Sequence, residues 1–191
     1  MEVSLNKRYP IKAAPERAWA VLRDLHAIAA CMPGASITEQ LGPQQFKGTV
    51  RVKVGPVTAL FNGEIEVLRI EETEHRISIN GKGFDKGGST AAMHLTTSIE
   101  KTDEASGCAL VGKTQVTVNG RLAQFGGRML SQVSDLVLDE FVGNFARAAA
   151  AGSSATAAAP AKQLNALTML WQLVKGWVCR LTADHCHGKH A

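Results

Sequence analysis

Cysteine is scarce in this chain and never paired at metal-binding spacing: Cys31, Cys108, Cys179 and Cys186 lie far apart, with no CxxC among them. This argues against a disulfide frame and for free thiols in a reducing compartment. Basic runs with interleaved aromatics are also missing. The net charge is only +4 over 191 residues, and the basic side chains are dispersed among acidic ones, so no nucleic-acid partner is expected. The opening stretch MEVSLNKRYPIKAAPE contains no long apolar run and does not read as a secretory signal; a cytoplasmic protein is expected.

Catalytic groupings are equally sparse. His26, His75 and His94 have no partner at motif spacing and read as surface or structural histidines. The tail DHCHGKH offers His185, Cys186, His187 and His190, which are plausible soft-metal ligands but match no zinc spacing. Gly55-Pro56, Gly87-Gly88 and Gly126-Gly127 do not form a phosphate loop. The expectation is a protein with no catalytic site, no metal and no covalently bound cofactor.

What is present is pattern. Val3 to Ile11 alternates apolar and polar, and Pro15 then opens a stretch with Ala18, Trp19 and Leu22 on one helical face. A second short apolar stretch, LHAIAACM, halts at Pro33-Gly34. From there to about Asn119 the period is two, which predicts strands near 36–41, 45–54, 57–70, 75–84, 89–101 and 108–118. Past Gly120 the period becomes helical, with Leu122, Phe125, Met129, Val133, Leu136, Val137, Phe141 and Phe145 forming one stripe.

Short connections imply consecutive antiparallel pairing, and a single curved sheet has one apolar face that only the long helix is big enough to cover. The expected class is α+β: a helix-grip domain over residues 1–148, its curved antiparallel sheet wrapped around a long helix.

The inward rank of that sheet mixes Val50, Phe61, Ile65, Leu95 and Val116 with small residues such as Gly48, Ala59, Gly63, Gly81, Gly83, Ala91 and Gly112. Protein interiors otherwise fill to a density near ~0.74, so such residues on neighbouring strands imply either a close-lying helix or an apolar cavity. If a cavity, its candidate lining is Val50, Ala59, Phe61, Gly63, Ile65, Leu95 and Val116 from the strands, with Phe125, Met129, Val133 and Val137 from the helix. A one-residue bulge would invert any strand's contribution.

Residues 149–161, rich in alanine and broken by Gly-Ser-Ser and a proline, read as a flexible linker spanning about 20 Å root-mean-square. Residues 162–182 read as an amphipathic helix. Leu164, Leu167, Leu170, Trp171, Val174, Trp177, Val178 and Leu181 share one half of the helical wheel, and Lys175 and Arg180 flank it. Asn165, Gln172, Lys175 and Arg180 make spanning costly, so this helix is expected to lie on a bilayer; packing on protein is the alternative. Residues 183–191 form a His-rich tail.

Several pieces of the sequence resemble the CoxG family of carbon monoxide dehydrogenase accessory proteins, within the START-like (SRPBCC) superfamily. They are PERAWAVLRD, the CMPG turn at Cys31–Gly34, VKVGPV at Val52–Val57, GKGFDKGGS at Gly81–Ser89 and NGRLAQFGGRML at Asn119–Leu130, in the family's order. The resemblance implies a peripheral protein of the cytoplasmic membrane face. Its implied partner is a molybdenum-containing CO dehydrogenase or related molybdenum hydroxylase, and its implied cargo is a quinone (menaquinone or ubiquinone) or other lipid. Two alternatives stand beside this: a pure adaptor with a packed core, and a START-like cyclase or hydrolase.

Overall fold

The structure is a computed structural model and describes residues 1–102 and 107–151. Among them run β1 (Glu2–Ile11), α1 (Pro15–Leu22), α2 (Leu25–Cys31), β2 (Ala35–Gly42), β3 (Gln45–Val54), β4 (Val57–Glu71), β5 (Arg76–Asp85), β6 (Thr90–Lys101), β7 (Cys108–Asn119), a 3₁₀ turn over Arg121–Phe125, and α3 (Gly127–Ala151). The seven strands form one antiparallel sheet in the order β1-β7-β6-β5-β4-β3-β2. From β2 to β7 the sheet is a meander, as the short connections imply, and β1, joined to β2 through the two short helices, pairs with β7. α3 runs on past 148, into the alanines read as linker, because alanine is the best helix former.

Period-two patterning sets the faces. Val3, Leu5 and Ile11 of β1 stand opposite Val116, Thr114 and Cys108 of β7, and the same inward rank continues across the sheet to Ala35 and Ile37 of β2. Pro15 supplies the first turn of α1, while Asp24 caps α2 by accepting from the His26 and Ala27 amides at 2.9 and 3.2 Å. The CMPG turn ends at Gly34, which has φ +73°; a β-carbon there would also collide with the Arg51 carbonyl oxygen, so only glycine fits.

Two apolar clusters fill the space between sheet and helices. The larger joins Ile11, Trp19, Leu22, Ile77, Ile79, Ile99, Phe141 and Phe145 around α1, α2 and the second half of α3. The smaller joins Val3, Val54, Ala59, Val118, Leu122 and Leu130 around the start of α3. The Trp19 indole donates to the Glu72 carboxylate at 2.7 Å and stacks on His75, which ties α1 to the β4–β5 turn. The Asn144 amide donates to the Cys31 carbonyl at 2.8 Å and ties α3 to α2. Leu136 departs from the expected stripe and is 71% exposed: the apolar arc of α3 is wider than the face the sheet can cover.

Candidate functional site

The inner face of the sheet holds a half-open cavity of about 260 Å³. Its floor is a row of mostly small residues, three of them glycines. Ile37, Gly48, Gly63, Gly83 and Ala91 stand directly opposite one another from β2 to β6, and Ala29 of α2 and Ala35 of β2 border one side. Phe61, Ile65, Met93 and Val116 supply the bulkier walls, and almost no polar atom faces the space. Val50 lines it and is 37% exposed, so the cavity reaches the surface at β3.

The glycines do more than leave room. A β-carbon on Gly63 would collide with the Lys82 carbonyl oxygen, and one on Gly48 would lie 2.7 Å from that of Ser36. Strands approach too closely there for any side chain, so these glycines allow the sheet to bend and bare the cavity floor together.

Of the residues expected at the site, Val50, Phe61, Gly63, Ile65 and Val116 line the cavity. Ala59 sits in the smaller cluster, and Leu95 packs against the larger one. The other expected residues are placed differently: Phe125 of the 3₁₀ turn and Met129 and Val133 of α3 pack into the smaller cluster, and Val137 of α3 is half-buried outside the lining. The start of α3 rests on the 3₁₀ turn and β3, which take up its apolar side before it reaches the cavity. Sequence reasoning missed Ala29, Ala35, Ile37 and Met93; the small-residue run in LHAIAAC was the available signal for Ala29. The expected membrane-facing residues, Leu164 to Leu181, and the His-rich tail lie outside the described residues.

The titratable residues that border the cavity, Glu64 and Lys82, pair with each other at 3.2 Å through exposed side chains. The Thr97 hydroxyl is buried and donates to the Val111 carbonyl at 2.9 Å. His26 meets Phe46 edge-on, His75 stacks on Trp19, and His94 shares a 2.7 Å hydrogen bond with Asn80 on the outer face, so the three histidines occupy three separate places. Burial pushes the Cys31 and Cys108 thiols above their ordinary range, which disfavours the reactive thiolate. Lys7 pairs with Asp135 of α3 at 2.9 Å, and this partner raises its pKa. No group of three potential metal ligands occurs among the described residues, and no helix among them is long and apolar enough to cross a membrane.

A curved antiparallel sheet gripping a long helix over an apolar cavity defines a START-like helix-grip domain. Within that class, residues 8–150 match the family described as CoxG, a subunit of carbon monoxide dehydrogenase, and the chain belongs to that family. Membership implies an accessory association with a carbon monoxide dehydrogenase.

Several solved structures share the fold. A conserved protein from Geobacillus kaustophilus superposes with a TM-score of 0.70 at 19% identity, covering 78% of this chain and 96% of its own. The Zhui aromatase/cyclase from a Streptomyces species gives 0.58 at 13% identity, covering 78% and 94%. A START superfamily protein from Mycobacterium smegmatis gives 0.55 at 14%, covering 78% and 97%. At these identities the likeness concerns the fold alone. No curated sequence matches the chain.

Proposed function

We propose that this chain is a non-enzymatic accessory protein that binds the lipid-like tail or ring of a quinone in its cavity and serves a molybdenum-containing carbon monoxide dehydrogenase at the cytoplasmic membrane surface. The observation that carries this reading is the cavity wall, which is almost wholly hydrocarbon. Such a wall suits an apolar ligand and offers no general base or nucleophile for a cyclase or hydrolase reaction.

Binding sites for drug-sized molecules usually occupy about 300–1,000 Å³. A cavity of about 260 Å³ therefore holds a ring or a short stretch of isoprenoid, and the remainder of a quinone leaves through the opening beside Val50. In the same reading, Trp171, Trp177 and their apolar neighbours dock residues 162–182 on the bilayer, with Lys175 and Arg180 beside anionic headgroups.

The test is mass spectrometry of the organic extract from full-length protein purified from its own host membrane background. Near-equimolar quinone in the wild type and its loss in Ala91→Phe, which projects into the cavity, is the expected result. Lipid-free wild-type protein that still binds membranes would leave a pure adaptor and overturn the cargo reading. Gly63 is unsuitable for this purpose because any side chain there meets backbone.

A further inference from the structure

Behind the cavity floor, the outer face of the sheet carries a second concavity. Thr49, Asn62, Phe84, Thr90 and Asn119 stand opposite one another across β3 to β7 and line a groove of about 720 Å³. Phe84, at its centre, is 59% exposed. A phenyl ring held in water amid hydrogen-bonding side chains forfeits burial that a partner would restore.

Cations gather at this end of the sheet. Beyond the groove's own lining lie Arg51, opposite exposed Leu60, Lys53 near the end of β3, Lys86 in the turn after β5 and Arg121 at the start of the 3₁₀ turn. None of them forms an ion pair among the described residues. Within the groove, Lys82 is paired with Glu64 at 3.2 Å and Lys47 with Glu39 at 3.0 Å, and Asp85 beside it accepts from the Leu60 and Gly87 amides at 3.1 and 2.8 Å. By contrast, Glu71, Glu72, Glu74 and Glu100 at the other end are each paired with arginine.

We propose that this groove is a docking surface for a protein partner that presents acidic side chains around an apolar pocket for Phe84. The inference rests on the accessory reading above and adds the surface through which the association is made. An aromatic anchor with arginines and a polar rim is the usual composition of an interface centre. Protein fits better than lipid here, because hydrocarbon would strip water from Thr49, Asn62, Thr90 and Asn119 without replacing its hydrogen bonds, whereas a protein supplies donors and acceptors. Gly48, Gly63, Gly83 and Ala91 border both the groove and the inner cavity, so a partner seated there touches the wall of the cargo site.

The experiment measures binding of the full-length chain to the host's purified carbon monoxide dehydrogenase, alongside vesicles of phosphatidylcholine with and without phosphatidylglycerol. Phe84→Ala weakens the enzyme complex by about tenfold. The triple change Arg51→Glu, Lys53→Glu and Lys86→Glu weakens it further and abolishes its sensitivity to salt. Both sets alter exposed side chains, and both leave the melting temperature and vesicle binding at wild-type values. A wild-type complex that these variants leave intact overturns the surface alone, as does a loss of vesicle binding with the enzyme complex retained, which would make the groove a membrane face. Failure of the wild-type chain to bind the enzyme removes the accessory reading and this surface with it.

Discussion

β5 and β6 carry Ile77, Ile79 and Ile99 toward α1 and the second half of α3, and Gly81, Gly83 and Ala91 toward the cavity. The same two strands thus build a filled region and an unfilled one a few residues apart. In the filled region Phe145, Ile77 and Leu22 are almost wholly shielded from water, and Trp19 and Asn144 add hydrogen bonds that hold α1 and α3 in place. In the unfilled region the backbone itself forms the wall. Cohesion concentrated at one end lets the other forgo packing, since a domain's net stability is a small balance that local voids erode.

The largest expected effect tests the filled end. Phe145→Ala removes a fully buried ring and should cost about 3–5 kcal/mol in urea unfolding; a cost under about 1 kcal/mol would show that this end is no better packed than the cavity. Next comes Ala18→Leu, which forces methylenes into a site of 0% exposure and should cost about 1–3 kcal/mol. Ala91→Phe makes the opposite comparison. Its ring enters empty space, so stability should change by less than about 1 kcal/mol even as quinone is lost; an Ala18-sized penalty would mean that the cavity closes in solution.

The smallest effect concerns pH. Asp135 raises the Lys7 pKa above its ordinary 10.5, so the native state holds that proton more tightly than the unfolded chain. The pair's contribution is therefore complete below pH 10.5 and fades as pH rises through the shifted value. Tyr9, whose phenol burial pushes above 10.0, acts in the same direction. Melting curves in alkaline buffer should fall less steeply for Lys7→Met than for the wild type, and parallel curves would remove the pair from the account.

Much of this was legible from residue order. Period two located the strands within a residue or two of where they lie, because side chains alternating between water and core leave their mark on composition. The cavity was legible only in part. Val50, Phe61, Ile65 and Val116 follow from strand parity, but a helical stripe tells which residues face inward and not what faces them, so it points Met129 and Val133 at the cavity although they meet the smaller cluster. Glycine was ambiguous for a different reason. Whether a missing β-carbon leaves a void or avoids a neighbouring carbonyl depends on how tightly two strands coil, and Gly63 does both. Phe84 could not be read as special, since strand alternation assigns it outward without saying what surrounds it.

The unfilled space has a mechanical consequence as well. Voids disappear on unfolding, so a chain that contains one occupies less volume unfolded, and hydrostatic pressure drives it in that direction. Compression should therefore destabilise the empty protein more than Ala91→Phe, and a bound hydrocarbon should harden the wild type against it. High-pressure fluorescence becomes a gauge of occupancy, sensitive to whether the space beneath Gly63 and Gly83 is filled without regard to what fills it.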